Sequence, residues 1–204
     1  MSLPDFFDKD YYEDGRKSGK SFYENYRWMP HRSLPLANTL KEMYPNQSIL
    51  DFGCAKGYLV HALRLLDVEA YGYDISEYAI SNCKSETKDF LFCDRSNVPN
   101  VDVIVSKDVM EHVPYDAIDE VLSFMYSKCT QAIIVVPFGG DGLYRIPSYE
   151  LDQSHFVRED EEWWISKFKT AGFKMKSFYY HLDGFKDHWT DIHPHGNGIF
   201  LLEK

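Results

Sequence analysis

With 204 residues, 44% hydrophobic and 26% charged, the chain is long enough to bury a full core in one domain and has an ordinary soluble balance. Its formal net charge of −10 argues against a sequence-independent grip on nucleic-acid phosphates. The four cysteines (Cys54, Cys83, Cys93, Cys129) lack C-x-x-C spacing, and no run reads as a secretory signal or membrane span, so free thiols and a cytoplasmic location are expected.

The first 47 residues hold eight aromatics before residue 30, among them Tyr11, Tyr12, Tyr23, Tyr26 and Trp28, without a long helical stripe. They are expected to form a cap over a site. An apolar run then ends in Asp51 and breaks into a glycine turn, Gly53-x-Ala55-x-Gly57, followed at once by a helix-like segment over 58–66. Glycines there let the backbone turn sharply and approach a ligand without a Cβ in the way. The ligand then lies against the helix N-terminus. Tyr58 stands where the dinucleotide fingerprint needs its last glycine, and Asp51 repels a pyrophosphate. A nicotinamide-dependent reductase is therefore disfavoured, and a cationic ligand with an amino group and a sulfonium suits the turn.

Further apolar stretches follow at 70–73, 89–92, 101–105 and 131–136. Between and after them come helical stripes, one with Ile118, Val121, Leu122 and Met125 and another with Trp164, Phe168 and Ala171 stopped by Gly172. Residues 173–182 and 198–202 read as a closing pair of strands. Alternating strands and helices predict an α/β fold with a mostly parallel sheet covered on both faces. The connections 138–156 and 183–196 are long and punctuated by glycine and proline, which marks them as functional loops.

Taken together, Ile49-Leu50-Asp51-Phe52-Gly53, Asp74-Ile75-Ser76, Cys93-Asp94, Ser106-Lys107-Asp108-Val109-Met110-Glu111-His112-Val113 and Ser154-His155-Phe156 stand in an order that resembles the class I S-adenosylmethionine-dependent methyltransferases. The departure is Ala55, where the commonest form has glycine. The resemblance implies a Rossmann-like seven-stranded sheet of order 3-2-1-4-5-7-6 with the last strand antiparallel. It implies one domain, with residues 1–47 as the cap and 48–204 as the core. It also implies S-adenosylmethionine as cofactor and S-adenosylhomocysteine as product. In that reading Asp51 holds the methionine amino group and Gly53, Ala55 and Gly57 form the backbone cradle. Asp74, a strand-tip carboxylate expected to carry little of the core, accepts the ribose hydroxyls. Ile75 and Cys93 border the adenine, Asp94 meets its amino group, and Lys107 offers its backbone near the methionine moiety.

Among eight histidines, His112 and His155 fall at stations that border the acceptor side in this family and are the catalytic candidates. Methylation of a small-molecule hydroxyl profits from a histidine base. Asp108, Glu111 and His112 share one face if their segment is helical, and with His155 they compose a plausible Mg²⁺ or Zn²⁺ shell. A similar arrangement occurs in ubiquinone-pathway O-methyltransferases and in small-RNA 3′-terminal 2′-O-methyltransferases. Many relatives keep Glu-His without an ion, so the reading taken is metal-free. The alternatives are a metal-assisted 2′-O-methyltransferase of an RNA 3′ end and a non-catalytic adenosyl-ligand-binding module. A monomer or homodimer with a small-molecule acceptor, without nucleic-acid or membrane partners, completes the expectation.

Overall fold

Short, mostly apolar runs form the central strands, aliphatic over 103–105 and 132–136 and richer in aromatics over 70–73. In the computed structural model, which describes residues 3–204, these are β1 (Ile49–Phe52), β2 (Ala70–Tyr73), β3 (Leu91–Phe92), β4 (Val103–Lys107) and β5 (Gln131–Pro137). With β6 (Lys174–Tyr179) and β7 (Asn197–Glu203) they make a seven-stranded sheet of order β3-β2-β1-β4-β5-β7-β6. β1 pairs parallel with β2, β2 with β3 and β4 with β5, while β7 runs antiparallel to β5 and β6. This is the Rossmann-like order that the sequence implies. β1 is buried throughout and β4 and β5 nearly so, which explains why they read as continuous apolar runs. The edge strand β6 instead exposes Lys174, Met175 and Lys176, and edge lysines discourage further strand pairing.

The chain divides into two compact units. The first ends at Pro99 and takes in Leu151–Gln153; the second comprises Asn100–Glu150 and Ser154–Lys204. In the first, α1 (Pro30–Met43) precedes β1, α2 (Tyr58–Leu65) follows it, and α3 (Glu77–Ser81) follows β2. The N-terminal segment departs from expectation, because α1 is a 14-residue helix that buries Leu36, Ala37 and Leu40 around an internal Pro35. Ahead of it, helical turns over Leu3–Phe6, Lys9–Glu13 and Gly15–Ser18 bring Phe7, Tyr11 and Tyr12 into a buried cluster with Ala55 and Ala79. Met1 and Ser2, which open the expected cap, lie outside the described residues. β3 is shorter than expected: residues 85–90 wind into a 3₁₀ turn, and the Arg64 guanidinium lies 3.1 Å from the centroid of the Phe90 ring.

In the second unit, α4 (Ile118–Lys128) buries the four residues of its predicted stripe. α5 (Glu161–Thr170) starts where the Asp160 carboxylate accepts the Trp163 N–H at 2.9 Å. Glu161 and Glu162 lie in its first turn and Lys167 and Lys169 in its last, which complements the helix dipole. Its Phe168 meets Phe200 of β7, ring centroids 5.0 Å apart. No helix among the described residues is long and apolar enough to cross a membrane.

Phe138 packs directly on Gly198 of β7, so that a Cβ built there would lie 2.1 Å from the ring. Gly198→Ala should therefore overpack this aromatic core and cost about 1–3 kcal/mol. Urea denaturation should show a lower midpoint with an unchanged slope.

Candidate functional site

Three left-handed backbone positions shape the turn after β1: Gly53 (φ 83°), Ala55 (φ 49°) and Gly57 (φ 70°). For Ala55 this conformation costs about 1–2 kcal/mol, so something must hold it. Asp74, at the end of β2, does so. Its Oδ2 accepts the Ala55 N–H at 2.7 Å and its Oδ1 accepts the Ser76 N–H at 2.8 Å. The Tyr73 carbonyl adds bonds from the N–H groups of Gly53 (2.7 Å) and Cys54 (3.0 Å). At Gly57 a Cβ would fall 2.6 Å from the Leu91 side chain. The expectation that Asp74 carries little of the fold is thus corrected: this carboxylate ties two strand ends together. Burial pushes its pKa up to about 6, against the pull of the two N–H donors. Each oxygen has two acceptor sites, so both keep capacity for a vicinal diol.

Around this turn Asp51 is buried at the end of β1, while Ile75 and Cys93 are half-buried. Asp94 is exposed, and its carboxylate accepts the Ser96 N–H at 2.8 Å as a local cap. The N-terminal segment lies on the same residues. The Ser76 hydroxyl donates to the Phe7 carbonyl at 2.5 Å, and Ile75 packs against the Phe7–Tyr11–Tyr12 cluster. Lys56 pairs with Glu13 and donates to the Tyr26 carbonyl at 3.1 Å.

The second unit carries a separate polar cluster after β4. Lys107 is half-buried, with Nζ 2.6 Å from an oxygen of Asp108. Asp108 itself is left-handed (φ 58°), and Met110–His112 forms a single 3₁₀ turn. The expected helical face of Asp108, Glu111 and His112 therefore does not form. Asp108 pairs with both Lys107 and Lys186. Burial would raise its pKa, but the two ammonium groups override this and hold the carboxyl well below the usual range. Glu111 is fully buried, and neither of its carboxyl oxygens has a hydrogen-bond partner among the described residues. Burial, reinforced by the charge of Asp108, pushes its pKa up to about 8.

The Glu111 carbonyl accepts the N–H groups of Phe156 (2.8 Å) and Val157 (3.2 Å), which pins the far end of the 138–156 connection beside the 3₁₀ turn. His112 and His155 are thereby brought together, ring centroids 4.5 Å apart. His112 Nδ1 lies 2.8 Å from the Ser154 hydroxyl. His155 Nδ1 lies 2.7 Å from the Tyr149 carbonyl, an acceptor only, so this nitrogen carries the proton and Nε2 is the basic one in the neutral ring. One donor atom from each of Glu111, His112 and His155 falls within 4.8 Å of the others. These three could hold a divalent ion, whereas Asp108, committed to two lysines, stands outside the set. Sequence reasoning missed Tyr149, Ser154 and Lys186 as site residues. All three lie in the long connections; Ser154 also stands in the Ser154-His155-Phe156 station, whereas Tyr149 and Lys186 carry no further signal.

Residues 44–134 match a family model described as a methyltransferase domain. No curated protein matches the sequence. Among solved structures, an S-adenosylmethionine-dependent methyltransferase from Archaeoglobus fulgidus is similar over 83% of this chain and 93% of its own, with a TM-score of 0.62 and 17% identity. The methyltransferase in complex with the Trm112 methyltransferase activator of Haloferax volcanii covers 99% of this chain and 97% of its own (TM-score 0.67, 16% identity). Magnesium protoporphyrin IX methyltransferase from Synechocystis with bound S-adenosylmethionine covers 83% and 76% (TM-score 0.57, 15% identity). Identities this low carry the fold and leave the acceptor open.

Glu111 supplies a prediction about stability. Its carboxyl titrates near 4.5 in the unfolded chain and near 8 in the folded one. The contribution of the retained proton is complete below pH 4.5 and is lost as pH rises through 8. Glu111→Gln removes this ionisation. Wild type should therefore lose stability relative to the variant between these limits, on the order of 5 kcal/mol, in denaturant midpoints measured across pH.

Proposed function

We propose that this chain is a class I S-adenosylmethionine-dependent methyltransferase that takes S-adenosylmethionine as its cofactor and methylates a small molecule at oxygen. The observation that carries the choice of oxygen is the His112–His155 pair, two adjacent imidazoles of which one presents a basic Nε2. An amine acceptor needs little besides position, whereas a hydroxyl profits from a base tuned near neutral pH. The net charge of −10 favours a small acceptor over the 3′ end of an RNA.

In this reading Asp51 takes the methionine amino group and the backbone of Gly53, Ala55 and Gly57 gives close approach. Asp74 accepts the ribose hydroxyls with the capacity left by its two N–H donors. Ile75 and Cys93 flank the adenine, Asp94 turns toward its amino group, and Lys107 lends its backbone on the methionine side. The bound cofactor supplies an electrophilic sulfonium methyl. The chain's part is then to hold the acceptor oxygen in line, keep water out and receive the hydroxyl proton on an imidazole. The N-terminal aromatics, latched by Glu13–Lys56 and Ser76–Phe7, serve as the cap that excludes water.

A second reading has its own observation. The unpartnered, fully buried Glu111 carboxyl beside two histidines suits a divalent ion that gathers the acceptor oxygens.

Turnover of a panel of phenols, sugars and small hydroxy acids separates the two. For a histidine base, activity rises with pH through one ionisation, His112→Gln flattens that limb and lowers kcat about 100-fold, and EDTA changes nothing. For a metal, EDTA abolishes turnover, Mg²⁺, Mn²⁺ or Zn²⁺ restores it, and Glu111→Gln, His112→Gln and His155→Ala lose activity alike.

A further inference from the structure

Lys186 is a buried lysine on a connection that otherwise has little regular structure, and its ammonium is fully matched. Its Nζ lies 2.6 Å from the Tyr149 hydroxyl and 2.8 Å from Asn197 Oδ1, and it pairs with the Asp108 carboxylate. Three donors thus meet three acceptors drawn from the 138–156 connection, the first residue of β7 and the end of β4. The Lys186 side chain is only 3% exposed. Burying an ammonium is costly, and replacing such a polar bolt by packed apolar groups is often neutral or stabilising, so stability alone does not explain it. Both members of the Lys186–Asp108 pair also sit in left-handed backbone, at φ 56° and φ 58°. Strained non-glycine backbone of this kind persists only where the surroundings over-determine it, and it gathers at functional sites.

Tyr149 connects this bolt to the histidines. Its hydroxyl receives the Lys186 N–H, its ring stacks on His155 (centroids 5.3 Å apart, planes 28°), and its carbonyl faces His155 Nδ1 at 2.7 Å. We propose that Lys186 is a positioning residue of the acceptor site: by fixing Tyr149 it keeps the His155 proton on Nδ1 and Nε2 as the basic nitrogen. This rests on the reading of His155 as part of the acceptor chemistry. A lysine that merely fastened two loops would stiffen them without selecting a tautomer of a neighbouring ring.

Long-range ¹H–¹⁵N correlation spectra of the histidine-labelled full chain test the proposal, because the two imidazole nitrogens report the tautomer directly. Wild type should show His155 as the Nδ1–H form alone. Lys186→Met, and Tyr149→Phe, which keeps the ring and the carbonyl but removes the hydroxyl, should each give a mixture of Nδ1–H and Nε2–H forms. Lys186→Arg, which retains charge and donors, should return the signal toward the single form. Far-ultraviolet circular dichroism establishes that each variant is folded, and if Lys186→Met is not, Tyr149→Phe decides. A single Nδ1–H tautomer in folded Tyr149→Phe or Lys186→Met would overturn the proposal. Failure of the acceptor reading itself registers separately, as unchanged turnover in His155→Ala.

Discussion

One buried carboxylate sets the geometry on which the first unit depends. Asp74 accepts N–H groups from Ala55 and Ser76, and so joins the turn after β1 to the end of β2. The pairing of β1 with β2 brings these chain ends near each other, but pairing alone does not hold an alanine in left-handed backbone. A charge-assisted bond from its N–H does, since such bonds are worth about twice a neutral one. The same acid orders Ser76, whose hydroxyl caps α3 and anchors Phe7. The N-terminal aromatics therefore rest on a surface that exists only because Asp74 has fixed it. The energetic cost is desolvation, visible in the upward pull on its pKa.

The second unit solves a different problem, which is to order two long connections that have little regular structure. It does so with polar contacts to fixed points on the sheet. The Glu111 carbonyl catches Phe156 and Val157, the Tyr144 hydroxyl donates to the Val157 carbonyl at 2.7 Å, and Lys186 gathers Tyr149, Asn197 and Asp108. A small hydrophobic cluster of Tyr144, Ile146 and Tyr149, with Trp189 against it, closes the arrangement. Each imidazole thus has a defined partner at Nδ1, a serine hydroxyl for His112 and a carbonyl for His155. Proton transfer requires this kind of definition, because a ring free to turn presents the wrong nitrogen for part of the time.

The sheet was legible because its strands are locally encoded: β4 and β5 are unbroken aliphatic runs, and α4 and α5 carry clear stripes, the latter with a capping Asp160 and a terminal Gly172. α1 was not, since Pro35 interrupts its pattern and only Leu36, Ala37 and Leu40 are buried. The region from Asp108 to His112 reads as a possible helix because i, i+3 and i+4 spacing is blind to a residue in left-handed backbone that pairs with a distant lysine. His112 and His155 are marked by their stations in a family pattern, and the structure brings their rings together. Lys186 had no such signal: its partners Asn197, Tyr149 and Asp108 lie between 11 and 78 positions away along the chain, at distances that no local periodicity encodes.

We propose that the Asp74-organised turn seats an adenosyl cofactor. Calorimetric titration of the full chain and of Asp74→Asn with S-adenosylhomocysteine tests it most directly, with NADH as the contrasting ligand. Wild type should bind S-adenosylhomocysteine with an affinity on the order of micromolar or better and NADH negligibly. Asp74→Asn should bind about 100-fold more weakly or worse, since hydrogen bonds to a charged acceptor are worth about 1.5–3 kcal/mol each. Equal affinity in the folded variant, or binding of NADH in place of S-adenosylhomocysteine, would contradict it.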